Sequence, residues 1–330
     1  MIISSDNLSV IIPVYNEEKN VINILQSLEC QSLTGFNVIV IDDGSKDMTA
    51  SLVKEYKPSS YSLSLIQQSN MGAARARENA INFTHSEYIA FIDSDDSLSS
   101  DALEKALAPM LDNKDIDISL FELVHIKNLN HDTNNIFVPY STTKLICGEE
   151  AFANCISYWG LHGFGIYKRK LIQKSYGIYY KYNKNKENYI NNDEVISRIS
   201  FGLSKNIYLS SGRYFFVQNM DSTTRRINES YYKVINNAVY LREYIDEEIK
   251  YNDFDCLGEA NKLLVSTIWG VFVRYQKWKK KFSDETNGKW REAIKKGMQY
   301  IKKINNNNNK NINLYIKSKM QLYIISKLVS

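Results

Sequence analysis

The first 125 residues of this 330-residue chain alternate between short apolar runs and helical patterns, which leaves few folds open to it. Leu8-Ser9-Val10-Ile11-Ile12-Pro13-Val14 reads as a buried strand stopped near Pro13. After it Asn16 offers a helix N-cap, Glu17 and Glu18 suit a first turn, and Val21, Ile24, Leu25 and Leu28 fall on one face. Further strands are expected at Phe36–Ile41, Tyr61–Ile66, Tyr88–Ile92 and Ile116–Val124. Between them come a helix capped by Asp47 and carrying Leu52, Val53 and Tyr56, then helices over Gly72–Phe83 and Asp101–Leu111. Short apolar strands alternating with helices build a mainly parallel sheet covered on both faces. Such sheets bind ligands outside the carboxyl ends of their strands. Polar clusters sit at those ends: Tyr15-Asn16-Glu17, Asp42-Asp43-Gly44-Ser45, Gln68 to Gly72, and Asp93 to Asp96. Four strand ends then converge on one site.

The last of these clusters carries the most chemistry. Asp93, Asp95 and Asp96 put three carboxylates within four residues, directly after the apolar run Tyr88–Ile92. Carboxylates this close raise one another's pKa. They are comfortable in water, as a solvated loop, or around a cation that brings a ligand of its own, most often a phosphate.

Beyond residue 125 the pattern loosens. Ile126–Asn135 reads as a loop, Cys147–Tyr158 as helical, and Leu161-His162-Gly163-Phe164-Gly165 as a flexible turn. A Lys/Asn/Tyr-rich loop over Tyr176–Asn192 leads to a helix at Asp193–Phe201, and two or three helices follow from Glu229. The Asn305–Asn309 run reads as a connector. Cys30, Cys147, Cys155 and Cys256 show no metal or CxxC spacing and suit a reducing compartment. Of His85, His125, His131 and His162, none has metal spacing, and a lone His is ordinarily structural. No basic leader precedes Asp6, and no run reaches about 18 apolar residues, so a cytoplasmic protein is expected.

Four segments resemble the family 2 inverting glycosyltransferases of the GT-A fold: Leu8–Glu17, Val40–Thr49, Asn70–Arg77 and Tyr88–Asp96, in family order and at family spacing. The resemblance implies an α/β, GT-A-like, mainly parallel sheet flanked by helices; it does not reach past about residue 230, where the helical pattern adds a C-terminal helical extension. The chain then divides into a nucleotide-sugar half (1–125) and an acceptor half (126–228), as the resemblance implies, and a basic helical extension (229–330), read from its charge and helical pattern. The resemblance places Pro13, Tyr15 and Glu17 on the donor, with Tyr15 stacking on the base, an arrangement open to any flat π face. Asp42 and Asp43 follow, Asp43 for the base contact. Gly72 and Arg77 are assigned to the diphosphate at a helix N-terminus, where anions are favoured. This segment departs from the family, since Glu78 and Ala80 stand where Asn and Gly are usual. Asp93 and Ser94 complete the donor contacts, and Asp95 with Asp93 would hold Mg²⁺ or Mn²⁺, Asp96 supporting them. An inverting displacement also needs a base for the acceptor hydroxyl. The family motif places it at Asp193, with Asn192 where Glu is usual; Asp193 as a plain helix cap, or Glu194 as the base, stay open.

Charge is distributed unevenly. Residues 274–330 hold 15 Lys/Arg against 3 Asp/Glu, which leaves the rest of the chain acidic. Aromatic and aliphatic residues lie among the lysines in Trp269–Lys281 and Leu314–Ser330. That mixture suits a helix on an anionic membrane surface, at the inner face of the cytoplasmic membrane, or equally a helical bundle with a solvated basic face. No nucleic-acid module accompanies the charge. The expected partners are a nucleotide-sugar donor and a glycan or lipid-linked glycan acceptor, as in O-antigen or capsule assembly. A sugar nucleotidyltransferase would need a basic, Gly-rich loop after the first strand, and Pro13–Glu18 is acidic. A non-catalytic relative acting as a membrane-associated assembly protein is the other class left open.

Overall fold

Parallel pairing brings the first four strands into one plane with their carboxyl ends aligned. The structure, a computed structural model, describes residues 7–126, 135–217, 227–307 and 316–328. Strands β1 (Leu8–Val14), β2 (Asn37–Asp42), β3 (Ser62–Gln67) and β4 (Tyr88–Phe91) alternate with helices α1 (Val21–Glu29), α2 (Thr49–Glu55) and α3 (Ala73–Phe83). β1 lies between β2 and β4, with Val14 opposite Asp42 and Ile11 opposite Phe91. β3 pairs with the other edge of β2, Gln67 opposite Asp42. Leu8, Val10, Ile11, Ile12 and Val14 are all buried, which is why β1 reads as a continuous apolar run: both of its faces are covered.

The sheet continues through β5 (Ser97–Leu98), helix α4 (Ala102–Asp112), β6 (Ile116–Ile126), β7 (Asn135–Ile136), β8 (Leu145–Cys147), helix α5 (Gly148–Ala153) and β9 (Gly165–Lys168). Helices α6 (Arg169–Tyr182) and α7 (Asn192–Leu203) lead to the long β10 (Asn206–Val217). The strand order is β3-β2-β1-β4-β9-β6-β10-β5, with β7 on β6 and β8 on β10. β9 is antiparallel to both β4 and β6, whereas β10 runs parallel to β6.

Three expectations are corrected here. The expected turn ends in a strand: Gly165 opens β9 because a Cβ there would sit 2.4 Å from the Ser119 carbonyl oxygen. The helix expected to reach Tyr158 stops at Ala153. The loop expected from Tyr176 is helical as far as Tyr182, since Ile172, Tyr176 and Tyr179 recur at helical spacing and are all buried. The expected 126–135 loop falls almost wholly outside the described residues, as does the end of the asparagine run.

The chain forms two compact units. The first comprises Met1–Phe152, Gly160–Ile178 and Ile196–Asn219 and holds the sheet; the second comprises Ala153–Trp159, Tyr179–Val195 and Met220–Ser330. The second unit has its own core, formed by α8 (Val234–Glu248), α9 (Cys256–Trp278), α10 (Asp284–Asn307) and α11 (Ile316–Leu328). Val271, Phe272, Tyr275 and Trp278 lie in that core, so for the 269–281 segment the bundle reading holds. Among the described residues, no helix is long and apolar enough to cross a membrane.

Candidate active site

Side chains of the sequence motifs tie the turns after β1, β2 and β3 together. Asn16 does not cap α1. Its backbone is left-handed at φ 56°, its N–H donates to Ser45 Oγ (2.9 Å), and its Oδ1 accepts from the Lys46 N–H (2.8 Å). The Glu17 carbonyl instead accepts from the Asn20 and Val21 N–H groups where α1 begins. Asp47 does serve α2, its Oδ1 accepting from the Thr49 N–H at 3.0 Å, while its Oδ2 accepts from the Glu18 N–H at 3.2 Å. Pro13 lies in β1 opposite Ile41, and the Tyr15 ring just beyond the strand is 47% exposed.

Asp42 and Asp43 are both buried and both bonded within the protein. Asp42 accepts from the Ser45 N–H (2.9 Å) and from Gln67 Nε2 (3.2 Å). Asp43 accepts from the Met71 N–H (2.8 Å), the Gly72 N–H (2.7 Å) and Gln68 Nε2 (2.7 Å). Asp43 therefore braces the loop that opens α3. Gly72 itself sits at φ 86°, ψ 158°, a region open essentially to glycine alone.

After β4, burial alternates along the acidic run: Asp93 and Asp95 are partly exposed, Ser94 and Asp96 buried. Arg77 Nη2 donates to Asp93 Oδ1 at 2.6 Å, so this guanidinium reaches the acidic turn. Asp96 spends both oxygens on β10, accepting from the Tyr214 hydroxyl (2.7 Å) and the Val217 N–H (2.9 Å). The same Tyr214 oxygen accepts from the Asp93 N–H at 3.1 Å. Burial, then the neighbouring Asp93 carboxylate, pushes the Asp96 pKa up to about 8. Glu17 is raised too, first by burial and then by Asp95 and Asp47, against hydrogen bonds from Asn20 and Ser94.

Tyr214 was not singled out in the sequence. Its ring is buried and stacks on Phe164 at 4.3 Å between centroids, fixing the hydroxyl under the acidic turn. Tyr214→Phe would leave the buried Asp96 carboxyl and the Asp93 N–H each short of a hydrogen-bond partner, a loss of about 1–3 kcal/mol that urea unfolding can measure. His162 flanks this aromatic group, 5.2 Å from the Phe137 centroid and 6.0 Å from Phe164. Its Nδ1 accepts from the Phe164 N–H at 3.2 Å, which requires the neutral ring. Burial lowers its pKa to about 4, with nearby His125 adding to the effect and a hydrogen bond with the Phe121 backbone opposing it. The unfolded chain takes up this proton near pH 6.5 and the folded protein only near 4, so the His162 contribution is complete above that window. It is lost as pH falls through it. Between pH 7 and 5, His162→Phe is expected to lose about 1–2 kcal/mol less stability than the parent, measured as urea midpoints.

In the second unit, Asp193 lies in the first turn of α7 with its side chain exposed, one residue inside the helix rather than at the cap. Asn192 beside it is buried, and the Tyr179 hydroxyl approaches both Asn192 Oδ1 (2.6 Å) and Asn237 Oδ1 (2.8 Å). Asn237 Nδ2 donates to the Ile190 carbonyl at 3.0 Å. These neutral amides hold the segment where the family pattern carries Glu.

Among the described residues, no three His, Cys, Asp or Glu side chains form a closed metal cage. A cation bound chiefly through a substrate diphosphate needs only one or two carboxylates. Asp93 and Asp95, both partly exposed in the turn after β4, fit that set.

The family model Glycosyl transferase family 2 matches residues 9–174, half of the chain. This protein belongs to glycosyl transferase family 2. YibD of Escherichia coli K12, an uncharacterized glycosyltransferase, is 34% identical over 119 residues, covering 36% of this chain and 34% of YibD. TarS of Staphylococcus aureus, a poly(ribitol-phosphate) β-N-acetylglucosaminyltransferase, is 30% identical over 175 residues, covering 52% of this chain and 29% of TarS. The chain thus spans about a third of the length of these curated relatives. The crystal structure of TarS 1–349 in complex with UDP-GlcNAc shares the fold, with a TM-score of 0.61 at 19% identity over 88% of this chain and 80% of that one. A mannosyltransferase from Pyrobaculum calidifontis, in complex with GDP-Man and Mn²⁺, matches at a TM-score of 0.50 and 15% identity, covering 98% of this chain and 80% of that one. The family 2 match ends at residue 174, before Asp193 and Tyr214.

Proposed function

We propose that this family 2 protein is an inverting, metal-dependent glycosyltransferase. It moves a sugar from a nucleotide donor to a hydroxyl of a glycan or lipid-linked glycan acceptor, in bacterial surface-polysaccharide assembly such as O-antigen or capsule. One observation carries the reading: adjacent parallel strands bring Tyr15, Asp42, Asp43, Asp93 and Asp95 to the carboxyl end of the sheet, with Arg77 paired into the acidic turn. Solved proteins of this fold hold UDP-GlcNAc or GDP-Man with Mn²⁺, which supports a nucleotide-sugar donor.

The exposed Tyr15 ring stacks on the base, and Asp43 contacts the base from a carboxylate already oriented by the Met71 and Gly72 N–H groups. Arg77 stabilises the diphosphate, with Gly72 letting the backbone approach. Asp95, with Asp93 beside it, holds the cation, and Asp96 anchors their turn to β10. Mg²⁺ or Mn²⁺ bound there supplies charge neutralisation for the departing diphosphate. Residues of the 126–228 segment bind the acceptor, and Asp193 takes the proton from its hydroxyl. The hydroxyl oxygen bonds to the anomeric carbon as the carbon–oxygen bond to the diphosphate breaks, the electron pair leaving with the nucleotide. A single displacement inverts that carbon.

The test is thermal melting with a panel of UDP- and GDP-sugars, with and without Mn²⁺, alongside slow donor hydrolysis. A donor at a hundred times its Kd adds about 2.7 kcal/mol of stability. Asp95→Ala is expected to remove the Mn²⁺-dependent part of the shift. If no donor moves the melting point and Asp95→Ala changes nothing, the enzyme reading fails in favour of a non-catalytic relative.

A further inference from the structure

Helix α11 has apolar residues on both of its faces, and the core accounts for only one. Ile325 is buried in the core of the second unit and Leu322 packs against it. On the opposite side Met320, Tyr323, Ile324 and Leu328 recur at helical spacing and form a single stripe. Met320 is 60% exposed, Tyr323 64% and Leu328 63%. Scattered surface apolar residues are ordinary, but a continuous stripe marks a contact surface.

Charge decides what covers it. Lys327 lies within the stripe, its ammonium 5.8 Å from the Tyr323 ring centre, and the exposed Lys319 flanks it. From Ala293 to Ser330 the sequence has eight lysines and no acidic residue. A second copy docking through the same stripe would bring one lysine-bearing patch against another, because a two-fold interface uses the same patch on both subunits. An anionic lipid surface answers both features, taking the apolar side chains at the acyl boundary and the lysines among the headgroups. A tyrosine ring with a polar tip suits that depth.

We infer that the outer face of α11, built from Met320, Tyr323, Ile324 and Leu328 with Lys319 and Lys327, docks this protein on an anionic membrane surface. The helix lies along the surface rather than across it. The docking surface is distinct from the donor site and does not depend on the activity proposed for it.

Flotation of the full chain with phosphatidylcholine vesicles, with and without phosphatidylserine, tests this directly. The parent is expected to float only with phosphatidylserine present, and less so as salt rises. Each lysine near the surface accounts for about a fivefold change in partition, so Lys319→Glu with Lys327→Glu should lower binding at least 25-fold or so. The triple variant Met320→Ser, Tyr323→Ser, Leu328→Ser should lose flotation while circular dichroism, melting point and donor-induced shift stay at parent values. Flotation of the variants equal to the parent, recovery independent of phosphatidylserine, or no recovery at all would each overturn the inference. Sedimentation equilibrium showing a parent dimer that the triple variant dissolves would overturn it too, by assigning the stripe to a second copy.

Discussion

Asp193→Asn is expected to lower kcat by about 10²–10⁴, the usual contribution of a positioned general base. Asparagine keeps the shape of the side chain and loses only the ability to take a proton. The segment that carries it is held by Asn192, Asn237 and Tyr179 rather than by Asp193 itself, so folding should be unaffected. The donor-induced melting shift should also be unchanged, because the residues proposed to bind the donor lie on the strand ends of the other unit. Steady-state kinetics beside melting curves separates the outcomes. Full activity in Asp193→Asn together with loss in Glu194→Gln would move the base to Glu194, one residue along the same helix.

The strand-end clusters were legible in the sequence because each of them is local. A buried parallel strand shows as an unbroken apolar run, as in Leu8–Val14, and the residues just past its end are the ones the sheet presents to a ligand. What stayed hidden depends on partners far along the chain. Tyr214 meets Asp96 across 118 positions, and nothing local to Tyr214-Phe215-Phe216 announces which strand it will lie beside. β10 alternates between buried and part-exposed residues with Ser and Arg among them, so it lacks the apolar run that marks β1. Helix α6 was missed for a different reason: Tyr176 and Tyr179 act as core residues there, while a Lys/Asn/Tyr-rich composition suggests a loop. The departure at Asn192 is visible in sequence, but its consequence is not, since the tyrosine and second asparagine that accommodate it come from other helices.

Trp290→Ala is expected to cost about 3–5 kcal/mol, the range for truncating a large buried aromatic, and it tests the bundle core of α9 and α10. The indole is fully buried, among Tyr232, Tyr275, Trp278 and Phe282, with ring centroids 5.2 to 6.1 Å away. Its Nε1–H donates to the Glu229 carbonyl at 2.7 Å, so truncation also leaves that carbonyl without this donor. Apolar residues interspersed with lysines suit a bundle core and a lipid surface equally well, because helical spacing reports a covered face and not what covers it. In a bundle, Trp290→Ala lowers the denaturant midpoint steeply, and Trp290→Phe restores part of the loss by refilling the cavity. If the tail aromatics instead faced lipid, the same change would leave the midpoint within about 0.5 kcal/mol of the parent, as for an ordinary surface site, and would weaken vesicle binding. The stripe on α11 predicts the reverse pattern, binding lost at unchanged stability. Measured together, the two sets of variants therefore assign the aromatic residues of α9 and α10 to the core and the outer stripe of α11 to the surface.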